Sequence, residues 1–384
     1  MAQKRYLFTP GPTPVPPQVL AALGEPVLHH RAPDFRIVYE RVLQRLQEVH
    51  RTSGDVLLFT CSGTGAFESA IVNLCSPGER VLAVSAGHFG ERWTTMARGF
   101  GCEVEELRLP WGATPSAGEL ARKLGEIDPV ALVFLVHSET STGVVADVRE
   151  LAAVAKEAGA LVVVDAVSSL GAVPLETDEW GLDVVVAGSQ KALMTPPGLA
   201  TAAVSEAAWE RVARAGLPRF YLDWERTRKA QHKLDSAFTP AVSLVVALDV
   251  ALGLLLEDGL DAAFERHVRL GRACRAGVTA MGLDLFSPDE DRSAVVTAAR
   301  MPEGIEASTL TRALRDGHGI TIAGGQGELK EAIFRIGHIG WFDEFDIATA
   351  LSAVELVLGE LGARIERGVA ATRALEVYSE GTKV

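Results

Sequence analysis

Apolar and polar positions change rhythm along the chain, and each rhythm predicts an element. Residues 1–18 carry Pro10, Pro12, Pro14, Pro16 and Pro17. Their locked φ and missing N–H exclude regular helix or a central strand, so an extended arm is predicted. Over 33–50, Val38, Val42, Leu46 and Val49 recur at helical spacing and predict an amphipathic helix. Short β-rich runs at 55–60, 80–85, 130–136, 160–164, 184–187 and 200–204 then alternate with helical stretches such as 67–74 and 148–158. Two of the runs, ALVFLV and LVVVD, are apolar without alternation. Strands buried on both faces read this way, and strands joined by helical crossovers are usually parallel. Residues 19–255 are therefore expected to form a large α/β domain with a mostly parallel sheet. A long apolar helix, 241–257, leads through Asp258-Gly259 into another helix. Strands near 294–298 and 332–336, with helices at 307–316 and 343–361, predict a smaller α+β domain over 256–384. The tail after Arg367 is expected to fray.

Composition narrows the function. With 384 residues, 48% hydrophobic and 23% charged, the chain can build a packed core and is not a disordered scaffold. A formal net charge of −13 repels nucleic acid and anionic lipid, so no polyanion or membrane partner is expected. A small anion remains compatible, because one cradle of amides is locally positive. Cys61, Cys75, Cys102 and Cys274 lack the close spacing of a disulfide framework or a zinc knuckle. No metal is expected. The start of the chain lacks the apolar core of a signal peptide, and the greasiest stretch, interrupted by Asp249, is too short to span a bilayer. A cytoplasmic protein is the expectation.

In open α/β sheets, ligands gather beyond the carboxyl ends of the strands. After 55–60 comes Cys61-Ser62-Gly63-Thr64-Gly65-Ala66 and then helix. This is either a plain turn or a helix N-terminus that binds phosphate. After 160–164 comes Asp165. It either caps the next turn or is a buried carboxylate that needs a cation, such as a protonated ring nitrogen. After 184–187 comes Gly188-Ser189-Gln190-Lys191. Lys191 is either solvated or confined; a confined ammonium loses its proton more easily and becomes a nucleophile toward aldehydes. A phosphate cradle, a strand-end carboxylate and a strand-end lysine together are the parts that a pyridoxal phosphate enzyme needs.

TPGPTPVPP, CSGTGAFESAI, AGHFGERW, HSETSTG, VVVDAVSSLG, AGSQKAL, FTPAVSL and RIGHIG occur in this order, from about residue 7 to residue 360. Together they resemble the class V aminotransferases, within them the alanine–glyoxylate, serine–glyoxylate and serine–pyruvate branch. The resemblance implies the pyridoxal 5'-phosphate-dependent transferase fold of type I. It also implies an aminotransferase that moves an amino group from serine, alanine or aspartate to glyoxylate or pyruvate. It makes Lys191 and Asp165 catalytic, Lys191 holding the cofactor aldehyde and moving the proton, Asp165 pairing with the ring nitrogen. Thr64, Gly65, Ala66 and Gln190 would hold the phosphate, Phe89 would stack on the ring, and Thr140 would meet its phenolate oxygen. Arg335 would clamp the substrate carboxylate, with Gly11 beside it. Thr239 would reach the phosphate of a neighbouring subunit, which implies a homodimer with shared sites. Ala66 departs from the His of some relatives, Phe89 from their Trp, and the residues before Thr239 lack their tyrosine. His29, His30 and Arg31 follow the arm; Arg31 either meets a side-chain carboxylate or pairs with Asp34. Two other readings stay open: a lyase or desulfurase on the same cofactor, and a non-catalytic partner protein on the same fold.

Overall fold

The computed structural model describes residues 4–287 and 293–380. The chain begins with strand β1 (Tyr6–Leu7) and helices α1 (Pro17–Leu23) and α2 (Pro33–His50). It continues with β2 (Asp55–Phe59), α3 (Gly63–Leu74), β3 (Arg80–Ser85), α4 (His88–Gly99), β4 (Glu103–Arg108) and α5 (Ala117–Glu126). Then follow β5 (Leu132–Val136), the short pair β6 (Ser138–Glu139) and β7 (Val144–Val145), α6 (Val148–Glu157), β8 (Leu161–Asp165), β9 (Val184–Gly188) and β10 (Ala200–Val204). Helices α7 (Glu206–Val212), α8 (Trp224–Gln231) and α9 (Val242–Leu256) close this part.

Seven of these strands form one sheet in the order β2-β10-β9-β8-β5-β3-β4. Strands β9, β8, β5, β3 and β4 are mutually parallel. β10 runs antiparallel to both β9 and β2, so β2 points the same way as the rest. The carboxyl ends of six strands therefore share one rim, which is where the expected chemistry lies. Side chains alternate across the pleat and both sides are buried. Val56 and Leu58 join the core of α2, α6 and α9, whereas Leu57 and Phe59 join that of α3, α4 and α8. Strand β4 escapes the sequence reading because Glu103, Glu105, Glu106 and Arg108 interrupt its apolar pattern. It is an edge strand, where charge discourages pairing with another sheet.

The remaining elements are α10 (Leu260–Ala280), β11 (Val296–Arg300), α11 (Ala307–His318), β12 (Ile320–Thr321), β13 (Ala323–Gly324), β14 (Ile333–Gly337), α12 (Glu344–Glu360) and α13 (Ala370–Glu380). They build an antiparallel sheet, β11-β14-β13, around a separate core that includes Phe334, Ile336, Leu351 and Val354. Asp249, which breaks the greasy run of α9, is buried and receives hydrogen bonds from Arg41 Nε at 2.8 Å and Arg45 Nη1 at 2.6 Å, fastening α9 to α2.

Three expectations need correction. The tail beyond Arg367 is not frayed over its described part, because it forms α13. Ala370 and Ala374 are buried against the α10–α12 core, and the Glu355 carboxylate of α12 accepts from the N–H groups of Gly368, Val369 and Ala370. The arm is not wholly extended, since α1 starts at Pro17, a residue that fits the first helical turn. Earlier, Tyr6–Leu7 pairs in parallel with Ile320–Thr321. Arg31 pairs with Asp235 at 3.8 Å rather than with Asp34, because the loop after α8 reaches the start of α2. Among the described residues no helix is long and apolar enough to cross a membrane.

Candidate active site

Three ionic groups converge beyond the carboxyl rim. Lys191 follows β9 after the two residues Ser189 and Gln190 and is 8% exposed. Its Nζ donates to the carbonyl oxygen of Pro10 at 2.9 Å. The arm clasps the same loop a second time, Thr13 N donating to Gln190 O at 3.1 Å and Thr13 Oγ1 to Lys191 O at 3.0 Å. Gly11 is needed for this contact. With φ at +144°, a Cβ placed there would fall within 2.5 Å of the Lys191 Nζ. Burial lowers the Lys191 ammonium from 10.5 to about 8, against the attraction of Asp165.

Asp165 ends β8 and is 4% exposed, with Oδ1 accepting from Val167 N at 2.8 Å. Burial pushes its carboxyl up to about 7, opposed by the Val167 amide and reinforced by the charge of Glu139. A carboxylate in this position calls for a cation. Arg335 sits on β14, the middle strand of the three-stranded sheet, and is 5% exposed. Its Nε donates to Gly324 O at 2.9 Å, and Nη1 to Thr140 O at 2.6 Å and to Gln326 Oε1 at 3.4 Å. Burial lowers the guanidinium to about 10, with Glu139 pulling the other way. All its hydrogen-bond partners are neutral, and among the described residues no direct ion pair holds it, the Glu139 charge acting only from further off.

The rest of the site frames these groups. Gly63 packs against Val167, and a Cβ built on Gly188 would lie 3.0 Å from Gln190 Oε1 and 3.6 Å from Gly63 Cα. The ends of β2, β8 and β9 thus crowd together, and the buried Gln190 Oε1 has no partner among the described residues. In the first turn of α3, Gly65 N and Ala66 N donate to Ser62 O at 2.8 and 3.3 Å, while the Thr64 hydroxyl accepts from Arg92 at 3.1 Å. Phe89, half-buried at the start of α4, donates its N–H to Glu139 Oε2 at 3.0 Å. Thr140 is buried and meets Arg335 through its carbonyl. Thr239 stands apart from Lys191 in the single chain, exposed on an open groove of about 420 Å³ with Val27, His30 and Pro240. A cavity of about 450 Å³ lined by Met194, Leu255, Arg266 and Trp341 contains none of the predicted residues.

Sequence reasoning missed Glu139, Gln326 and Arg92. Glu139 is fully buried between Asp165 and Arg335 and accepts from Phe89 N, Gly90 N, Ser141 N and Ser141 Oγ. Burial raises its carboxyl and these donors oppose the rise. Its position inside HSETSTG was a usable signal, as was that of Arg92 inside AGHFGERW. Gln326 had none, because the loop before β14 has no periodic pattern.

Comparison with known proteins agrees with this geometry. The family model Aminotransferase class-V matches residues 5–334. The soluble hydrogenase 42 kDa subunit of Anabaena cylindrica is 42% identical over 384 residues, covering 99% of this chain and all of that protein. The L-aspartate–glyoxylate aminotransferase of Paracoccus denitrificans is 34% identical over 388 residues, covering 100% of this chain and 98% of that one. The crystal structure of ureidoglycine–glyoxylate aminotransferase from Bacillus subtilis superposes with a TM-score of 0.94 at 30% identity, covering 99% of both chains.

Proposed function

The chain belongs to the class V aminotransferases, and from that premise we propose that it transfers an amino group from serine, alanine or aspartate to glyoxylate or pyruvate with pyridoxal 5'-phosphate. One observation carries the reading: Lys191, Asp165 and Arg335 are all buried at one rim, and none has an ion-pair partner among the described residues. Asp165 and Glu139 offset the buried charges of Lys191 and Arg335 only without direct contact, which leaves a cost that a bound ligand of matching charge would relieve.

The residues fit this cofactor. Asp165 offers a carboxylate to a protonated ring nitrogen, Phe89 a flat face, Thr140 a donor for the ring oxygen, and Lys191 an amine for the aldehyde. Thr64, Gly65 and Ala66 would place the phosphate at the positive start of α3, with the Thr64 hydroxyl and Gln190 beside it. When bound, the cofactor would supply an electron sink for the electrons left at the substrate's Cα.

Arg335 would take the carboxylate common to every donor and acceptor in a two-pronged hydrogen bond, a geometry that a guanidinium provides and an ammonium does not. Lys191, its ammonium already weakened by burial, would take the Cα proton as its neutral amine and return it one position away. The Pro10 carbonyl and Gly11 would keep that amine in place. The 2-oxo acid formed from the donor would leave before the acceptor enters and uses the same Arg335. In this reading residues 1–18 serve as a clasp, 19–255 hold the cofactor and 256–384 carry the carboxylate clamp.

We place two copies of the chain around shared sites, in a reducing cytoplasm suited to four unpaired cysteines. Supporting the pairing, Phe220, Tyr221 and Val27 are large apolar side chains exposed near Thr239. That is the face from which Thr239 would reach the neighbouring phosphate.

The name of the Anabaena relative raises a second reading, a non-catalytic subunit. Such a subunit has no use for three ionic groups buried together without a direct ion pair. A desulfurase requires a reactive thiol, yet burial and then Glu68 push Cys61, at the rim, up to about 12. The test is an absorbance spectrum of the purified protein, with serine, alanine and aspartate added in turn. We expect visible absorption from bound cofactor that bleaches with one donor and returns with glyoxylate or pyruvate. A colourless protein that cannot be loaded with pyridoxal 5'-phosphate would refute the reading.

A further inference from the structure

Arg92 has no part in the function proposed above, yet its side chain is held in place from three directions. It lies one helical turn after Phe89 on α4, and its guanidinium carbon is 4.7 Å from the centre of the Phe89 ring. Nη1 donates to the Thr64 hydroxyl at 3.1 Å, and Nη2 faces His88 Nε2 at 3.4 Å. Burial, and then the charge of Arg92 itself, lowers the His88 pKa. None of these partners carries negative charge, and among the described residues no carboxylate comes within ion-pairing distance of Arg92.

The first turn of α3 faces it with the complementary deficit. Gly65 N and Ala66 N are spent on Ser62 O, which leaves the amides of Gly63 and Thr64 without a partner among the described residues. The side chains at 63–66 are small and neutral, so this turn brings no charge of its own. The Thr64 hydroxyl accepts from Arg92 and so still has its proton to donate. Two amides, one hydroxyl and one guanidinium around a helix start form an oxyanion receptor. The charge of Arg92 also reaches Asp165 and Lys191, which puts the receptor within the same site.

We propose that Arg92 binds the cofactor phosphate, acting as its counter-charge across from the start of α3; this rests on the cofactor reading above. A side-chain carboxylate of an acidic donor has the same anionic chemistry, and the test separates the two. Binding to the apoprotein is measured by absorbance for pyridoxal 5'-phosphate and for pyridoxal, which lacks the phosphate. Wild type, Arg92→Gln and Arg92→Lys are compared, and thermal stabilisation by inorganic phosphate gives a second readout. Arg92→Gln keeps a polar side chain but shortens it and removes its charge, whereas Arg92→Lys keeps the charge. It should weaken pyridoxal 5'-phosphate on the order of 10–100-fold while changing pyridoxal less than about twofold, as for the loss of a hydrogen bond to a charged group. Stabilisation by inorganic phosphate should vanish with it, and Arg92→Lys should recover part of both. Equal losses for the two ligands would overturn the proposal, because Arg92 would then act only by supporting Phe89. So would unchanged cofactor binding with a KM rise confined to aspartate, which would assign the anion to the substrate. A wild-type protein that binds no pyridoxal 5'-phosphate fails the cofactor reading itself, whereas wild-type binding with an unaltered variant fails only the role of Arg92.

Discussion

Lys191 and Asp165 have pKa values displaced in opposite directions, and both displacements can be measured. A neutral amine attacks an aldehyde, so loading of the apoprotein with pyridoxal 5'-phosphate should be half-maximal near pH 8, not near 10.5. The carboxylate of Asp165 holds the Lys191 ammonium up, so Asp165→Asn should move that midpoint below 8. A midpoint that stays or rises would contradict the electrostatics. Stability follows with a definite sign. Between pH 8 and 10.5 the unfolded chain binds more protons at Lys191 than the folded one, so the apoprotein gains stability as pH rises through that window. Asp165 acts the other way, because its raised pKa makes the folded chain bind more protons between 3.8 and about 7, and stability falls as pH rises there. Urea melts of wild type and Asp165→Asn across pH separate the two contributions. For Arg335→Lys the charge survives and the planar fork does not. We expect KM for amino and oxo acids alike to rise about 10–100-fold, with kcat less affected. Steady-state kinetics with one donor and one acceptor check this, and an unchanged KM would remove Arg335 from the carboxylate role.

At the level of elements, α13 depends on close approach to α10. A Cβ placed on Gly277 would come within 2.4 Å of Leu351 Cδ1 and 2.7 Å of the Ala370 carbonyl oxygen. The leucine can turn aside, but the backbone oxygen cannot. Gly277→Ala should therefore destabilise the chain by about 1–3 kcal/mol, the usual cost of overpacking. A thermal melt should place its Tm several degrees below wild type, with the absorbance of bound cofactor retained below the transition. An unchanged Tm would mean that α13 is free to shift. The same element explains a failure of sequence reading. The segment after Arg367 opens with Gly368 and is short, and the groups that order it, Glu355 and the α10–α12 groove, belong to other helices.

For the whole molecule, the exposed Phe220 and Tyr221, tilted against and stacked with Phe238, with Arg226 over the Phe220 ring, mark the surface expected between two copies. Sedimentation should return twice the 40.9 kDa chain mass. Phe220→Asp should shift the protein toward single chains and weaken cofactor binding at the same time, since Thr239 would no longer reach the neighbouring site. Dissociation without loss of cofactor would separate assembly from the shared phosphate contact.

Alternation of β and α segments, and the apolar runs of β5, β8 and β9, were legible because strand burial on both faces leaves a local signature. Asp165 and Lys191 were legible for the same reason, each standing where a buried strand runs out toward the rim. Local sequence determined those elements and the identity of the groups at their ends. Only the tertiary structure decided what surrounds them. Pro10 and Lys191 are 181 positions apart, and Thr140 and Arg335 are 195 apart. Glu139, inside an otherwise readable motif, becomes a buried acceptor only when α4 delivers the N–H groups of Phe89 and Gly90 to it. Pairings of this range leave no periodic trace in a single chain, because they depend on which loops the folded sheet brings to the same rim.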